Sequence, residues 1–363
     1  MSPTPTTNPA GPAAAPADLL AGAGARDVHV DRGGRGGLVG AAVLVVAVLV
    51  LALWVPYNVS LGTLSQLVGL FALIILATTW NLLAGYGGLV SIGQQAFIGA
   101  GGYGVIYLAD TVGVPLIGAL ALAAVVCGLL ALMTSFLVFR LVGGYFAIGT
   151  WVVAEVFKLV TTQVDALGGG SGLSLGAFRG VDRVDRVATV YWLGLGLAVL
   201  VVVATYLLMR SRVGLGLTAI RDDAKAASGL GVDVRRWQRT VYVASSAGAG
   251  LAGALIAVNT LRVSPDSIYS VSWSAFMIFI VVIGGLGTIE GPILGAVVFF
   301  VLQQQLADQG TWYLVAVGAL AIAVVLLAPR GLWGALTRDR LHLFPVGRRV
   351  RVAERSGRPA ADA

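Results

Sequence analysis

The sequence predicts an all-α fold, a polytopic bundle of transmembrane helices, and three observations carry this. Of its 363 residues 58% are hydrophobic and only 11% charged, where soluble domains carry roughly 25% charged residues. Its mean hydropathy is +0.90. Apolar runs close to the ~20 residues needed to cross a bilayer recur along almost its whole length. The runs are apolar throughout rather than alternating with polar residues, which argues against a membrane β-barrel.

Residues 1–37 are rich in Pro, Ala, Gly and Thr and lack apolar periodicity, so they are expected to form a disordered cytoplasmic tail. The run beginning at Leu38 is too long for a signal-peptide core and lacks a clear cleavage site, which predicts a retained first helix. Spans are then expected at 38–56, 64–84, 96–110, 115–139, 141–163, 188–209, 240–260, 274–286, 292–307 and 311–328. About ten spans is the direct reading. The runs at 96–110 and 274–286 are short, so eight spans with re-entrant segments is the alternative. The membrane domain thus covers 38–334, and 335–363 is a basic cytoplasmic tail whose arginines, Arg348 to Arg358, suit anionic lipid.

The basic residues set the orientation. Most of the 24 lysines and arginines fall on one side of this map: Arg26, Arg32 and Arg35; Arg140; Arg210, Arg212, Arg221, Lys225, Arg235, Arg236 and Arg239; and the run from Arg330 onward. The opposite loops hold Arg179, Arg183, Arg186 and Arg262, and Lys158 lies within a span. By the positive-inside rule both termini are cytoplasmic and the number of spans is even. The net charge of +7 is dispersed over loops, which argues against nucleic-acid binding.

Two stretches interrupt the apolar pattern. "NLLAGYGGLVSIGQQAFIGAGGYG" (81–104) and "IGGLGTIEGPILGA" (283–296) are dense in glycine, and Pro292 suits the first turn of a restarted helix. Irregular backbone at membrane depth survives only where protein buries it or a polar cavity hydrates it. Both stretches are therefore candidates for a translocation pathway, with close packing through small residues as the other reading. The pathway candidates are Gly85, Gly87, Gly88, Ser91, Gln94 and Gln95, joined by Tyr145 and Thr150. Ser91, Gln94 and Gln95 offer hydrogen bonds to a zwitterion, and helix ends offer partial charges. Capping of the broken helices is the equal alternative.

Catalytic chemistry is not visible. The two lysines, Lys158 and Lys225, follow no Walker-type phosphate loop, and His29 and His342 lie outside the spans. The single cysteine, Cys127, sits in an apolar run and excludes a disulfide framework. No metal or cofactor site is expected, and the chain is read as a transporter rather than an enzyme. Ionisable residues near spans are Asp110, Glu155, Lys158 and Glu290. Glu155 and Lys158 stand at i and i+3 and are expected to pair, whereas Asp110 and Glu290 are expected at solvated boundaries.

The loop 210–239 is unlike the rest. From Leu217 to Gly229 the residues Leu217, Ile220, Ala224 and Ala227 form one narrow apolar stripe, with Arg221, Asp222, Asp223 and Lys225 on the other faces. Gly229 and Gly231 supply stop signals. Three turns are marginal alone in water, so the stripe must pack on a partner or on this chain itself.

"SRVGLGLTAIRDDAKAASGLGVDV" resembles the coupling loop of bacterial ATP-binding-cassette importer permeases, most closely the LivM-type branched-chain amino-acid permease family. "GGYFAIGTWVVAEVFKLV", "GGGSGLS", "SSAGAGLAGALIA", "SPDSIYSVSWSAFMIFIVVIGGLGTIEGPILGA" and "LAPRGLWG" are similar to its segments, in order, over roughly 39–334. The resemblance implies a second homologous permease subunit, two cytoplasmic ATPase subunits that bind the ATP, and an extracytoplasmic substrate-binding protein. It also implies that Leu217, Ala219, Ile220, Arg221, Asp222, Asp223, Ala226, Ala227 and Gly231 form an ATPase-coupling helix in the cell membrane protein, its Ala and Ile filling a groove. Lys225, Gly229 and Gln95 depart from the family's usual residues. Urea, amides or sugars are the alternative cargo, and a stand-alone secondary transporter is the rival class. The latter predicts coupling acids deep in several spans, and the sequence offers at most the region of Glu155.

Overall fold

The structure, a computed structural model, describes residues 28–31, 35–306, 312–328, 330–337 and 349–352. Among its described residues between 36 and 337 the chain is mostly helical. The helices are α1 (Arg35–Leu53), α2 (Leu61–Asn81), α3 (Gln95–Ile106), α4 (Leu116–Val138), α5 (Gly144–Gln163) and α6 (Arg183–Arg210), then α7 (Arg212–Asp222) and α8 (Ala224–Gly229) in the charged loop. After them come α9 (Val234–Thr260), α10 (Ser272–Gly284), α11 (Glu290–Leu306), α12 (Trp312–Leu327) and α13 (Gly331–Thr337). Every predicted apolar run falls on a helix. Six segments among the described residues are long and apolar enough to cross a membrane: Leu61–Tyr86, Leu116–Val138, Gly144–Gln163, Arg183–Arg210, Val234–Thr260 and Pro265–Gly284.

The two short runs are explained by irregular extensions. α3 continues through a π-helical turn, Tyr107–Thr111, and α10 is preceded by a helical turn, Pro265–Ile268. α2 likewise runs into a π-helical turn, Leu82–Tyr86, before the chain leaves the helix.

α9 is the centre of the bundle, with α2, α3 and α4 packed around it. The segment "SSAGAGLAGA" (245–254) makes this possible, because small residues let helix backbones approach closely. A Cβ on Gly253 would land on the Ile98 carbonyl of α3, and one on Gly101 would land on the Gly250 carbonyl of α9. Gly250 in turn accepts the Cys127 side chain of α4 against its backbone. The small-residue reading of "GAGGYG" is therefore correct for 99–104, which is regular helix within α3. α4 carries exposed Leu129, Met133, Phe136 and Leu137 on its outer side, as a lipid-facing helix should.

The opposite loops are tied by a two-residue antiparallel pairing, Leu173–Ser174 with Arg262–Val263. Asp110 is exposed, as expected, and also accepts a hydrogen bond from the Gly176 N–H there. Lys158 pairs with Asp266, Nζ to Oδ1 2.7 Å, and not with Glu155 as the i, i+3 spacing suggested. The turn at Pro265 brings Asp266 to the end of α5, where it out-competes the helix neighbour. Glu290, expected at a solvated boundary, is 7% exposed at the start of α11.

The terminal segments form a separate unit. Val28–Asp31 and Arg349–Val352 pair antiparallel, with His29 opposite Arg351 and Asp31 opposite Arg349. "VHVD" and "RVRV" alternate apolar and polar residues, a strand period that the expectation of disorder through residue 37 overlooked. Residues 35–37 and 335–337 of the predicted tails belong to α1 and α13, and the remainder of both tails lies outside the described residues.

Candidate functional site

The charged loop begins where Ser211 caps α7, its Oγ accepting the Val213 N–H at 3.2 Å. The single helix expected over 217–229 is broken at Asp223, which takes an extended conformation, φ −158° and ψ 106°. Its carboxylate accepts from the N–H groups of Lys225 (2.8 Å) and Ala226 (3.0 Å), which starts α8 afresh. Asp is among the best residues for this capping geometry, so local hydrogen bonding outweighs helix continuity. α8 ends in a Schellman closure: Val232 N–H bonds to Ala227 O and Gly231 N–H to Ser228 O, with Gly231 at φ +83°.

The apolar stripe packs on its own protein. Leu217, Ile220 and Ala227 are buried, Ile220 to 4% exposure, while Ala224 is exposed. Ile220, which the family resemblance implied would fill a partner's groove, is turned inward in this chain. The face turned outward is Arg221, Asp222, Asp223, Lys225 and Ala226, with Ala219 half-buried beside it.

Arg221 also reaches inward. Its Nη1 donates to the carbonyl of Gly85 at 3.4 Å, and a Cβ on Gly287 would stand 2.5 Å from the same atom. Its Nε lies 3.6 Å from Asp222 Oδ1. Gly85 and Gly287 belong to the two glycine-rich interruptions, which are bonded to each other directly. Asn81, 1% exposed at the end of α2, donates from Nδ2 to Thr288 O at 2.7 Å and accepts the Gly287 N–H on Oδ1 at 2.8 Å. Gly287 holds φ +76°, a conformation available chiefly to glycine. Gly85 must lack a side chain, since a Cβ would meet Asn81 Oδ1 and the Gly287 backbone. A single polar junction thus joins the end of α2, the turn between α10 and α11, and the loop helix α7. Gln238 of α9 adds a bond to the Gly87 carbonyl at 3.3 Å.

Beyond the junction the chain runs irregularly to α3. Gly88, at φ +66°, is exposed, and Gly87 and Ser91 are buried. Trp80 Nε1 donates to Ser91 O at 2.9 Å, and Ile92 N–H donates to Thr150 Oγ1 at 3.3 Å. Ser274 of α10 donates to Ile92 O at 2.7 Å and also contacts Gln95 Oε1. Ser91, Gln95 and Thr150 are in this way gathered around one buried break. Tyr145 is not: it is 75% exposed at the start of α5. Gln94 opens α3 without capping it, is 1% exposed, and neither of its amide atoms has a hydrogen-bond partner among the described residues. Gln95 Nε2 is also unpartnered. Leaving a buried amide unpaired costs about 1–3 kcal/mol, which a water or ligand able to bond it would relieve. Capping therefore does not explain Gln94.

The sequence reading missed Asn81, Ser274, Gly287 and Thr288. Asn81 and Ser274 are single polar residues at the edges of apolar runs, which is the signal that could have found them. Among the described residues no group of acidic, histidine or cysteine side chains could hold a metal ion.

A bundle of apolar helices, interrupted at a buried polar seam and carrying a capped, charged helix on that seam, has the construction of a membrane transport protein. Residues 62–328 match the family described as branched-chain amino acid transport system / permease component, and the chain belongs to that family. It is a multi-pass membrane protein. It is 31% identical, over 324 residues, to the high-affinity branched-chain amino acid transport system permease protein LivM of Escherichia coli, covering 82% of this chain and 76% of that protein. A probable branched-chain amino acid transport permease protein LivM of Methanocaldococcus jannaschii is 24% identical over 52% of this chain and 56% of its own length. The permease protein LivH of Escherichia coli is 29% identical over 42% of this chain and 48% of its own. No solved structure matches the chain significantly.

Proposed function

We propose that this chain is a transmembrane subunit of an ATP-driven importer of branched-chain amino acids. The observation that carries the proposal is the 31% identity to a LivM permease across most of both chains. Leucine, isoleucine and valine would pass along the interface with a second permease, near the break formed by Gly85, Gly87, Gly88, Ser91, Gln94, Gln95 and Thr150. The unpartnered Gln94 amide and the N-terminus of α3 suit a carboxylate, so Gln94 is the leading contact. Tyr145 would then serve a surface role.

ATP would be hydrolysed on two separate cytoplasmic ATPase subunits, with no cofactor held by this chain, and an extracytoplasmic binding protein would deliver substrate. The outward face of α7 and α8, Arg221, Asp222, Asp223 and Ala226, would meet the ATPase. Arg221 would pass its motion to the junction of Gly85 and Gly287. About ten membrane crossings with both termini cytoplasmic would fit the arginine distribution, and a pairing of Val28–Asp31 with Arg349–Val352 is compatible with termini on one side.

Uptake competition in cells expressing the whole transport operon tests the cargo. Unlabelled isoleucine and valine, but not urea, short amides or sugars, should compete with labelled leucine. Competition by urea or sugars alone would reassign the substrate, and uptake driven by an ion gradient without ATP would favour a secondary transporter.

A further inference from the structure

The first three turns of α9 and the stretch of α4 around Leu132 border an open cleft that transport leaves unused. Leu132 stands on one side, with Arg235, Arg236, Arg239 and Val243 among the residues opposite. None of the three arginines is ion-paired with a carboxylate among the described residues. The acid in the cleft, Asp233, is occupied: its Oδ1 accepts the Arg236 N–H at 3.1 Å and caps α9. Three arginines and one carboxylate therefore line the cleft, and the amino end of a 27-residue helix adds partial positive charge. Arg239 lies over the Phe136 ring, 4.5 Å from its centroid, and its Nε has no partner. On the far side the cleft runs onto the exposed apolar face of α4, through Leu129, Leu132 and Phe136.

The two halves ask for one amphiphile. A free anion would satisfy the arginines but leave the apolar wall unmatched, and a neutral lipid would do the reverse. We propose that this cleft binds the phosphate headgroup of an anionic phospholipid, with the acyl chains lying along α4. Basic residues at the end of a spanning helix select anionic lipid in this way. The site lies directly after the Schellman turn that closes α8, so the bound lipid braces the exit of the loop.

Native mass spectrometry of the purified importer, released from nanodiscs of mixed phosphatidylglycerol and phosphatidylcholine, tests the proposal. The wild type should retain phosphatidylglycerol in preference. Each Arg→Gln change at Arg235, Arg236 or Arg239 should lower that preference about fivefold, and Arg239→Lys should keep most of it. Single variants keep the test available if the triple variant does not fold. Equal retention of both lipids by the wild type, or unchanged preference in the single variants, overturns the site. Displacement of the lipid by millimolar inorganic phosphate would assign the cleft to a free anion instead. Loss of copurifying ATPase subunits with lipid retention intact would make it a protein contact.

Discussion

Asn81 is the residue on which the polar junction turns, and replacing it with alanine has a calculable effect. The change removes two hydrogen bonds, to Thr288 O and from Gly287 N–H. Both backbone groups belong to a turn held in place by these bonds, with Gly287 in a conformation that ordinary residues avoid. Losing a partner at a buried site costs about 1–3 kcal/mol, and hydrogen bonds within membrane proteins fall near the low end. About 2 kcal/mol for the pair is the reasonable sum. For a domain of this size that lowers the melting temperature by roughly 4–8 °C. Asn259→Ala is the matched control, because Asn259 makes two bonds to Ser65 of the same helix, at 3.1 and 3.2 Å, away from the junction. The assay pairs scanning fluorimetry of the purified importer with leucine uptake in proteoliposomes. Both variants should melt early, but only Asn81→Ala should lose uptake beyond its loss of folded protein. Melting within about 1 °C of wild type, or equal damage to uptake in the two variants, would refute the junction's role.

Three further outcomes follow from the same geometry. Gly253→Ala should destabilise by about 1–3 kcal/mol, since the new methyl meets the Ile98 backbone carbonyl, which cannot rotate away; thermal melting reads this directly. Asp223→Ala removes both capping bonds of α8 and should cost about 1 kcal/mol locally, seen as faster hydrogen exchange at 224–229 with global melting nearly unchanged. Gln94→Leu removes an unpartnered buried amide and should leave melting unchanged or raise it while reducing leucine uptake; a drop in stability with uptake intact would make Gln94 structural.

Hydrophobic length alone located the helices, because a bilayer demands unbroken apolar runs and leaves little room for alternatives. Glycine density likewise marked both interruptions. What it could not reveal was that they bond to each other, since Asn81 and Thr288 are separated by 207 positions. The loop shows the same limit. Its apolar stripe was legible, but whether Ile220 faced this chain or another depended on tertiary packing. The break at Asp223 was readable in principle, as Asp followed by Ala-Lys-Ala-Ala is a helix start as well as a helix interior. Lys158 shows local spacing losing to topology: Glu155 is nearer in sequence, yet Asp266 arrives from a different segment. Tyr145 and Thr150 are both pathway candidates on the sequence, but five residues along a helix put them on different faces of α5, one exposed and one buried.

The central claim is that the loop helices transmit an ATPase's motion to the broken helices through Arg221. Substituting Arg221 and Asp222 to alanine in the complete importer, and measuring leucine taken up per ATP hydrolysed in proteoliposomes, tests it most directly. The account predicts continued ATP hydrolysis with uptake per ATP reduced at least tenfold, equivalent to about 1.4 kcal/mol of lost coupling, in a protein that still melts like the wild type. Unchanged uptake per ATP, with the ATPase subunits still bound, would contradict it.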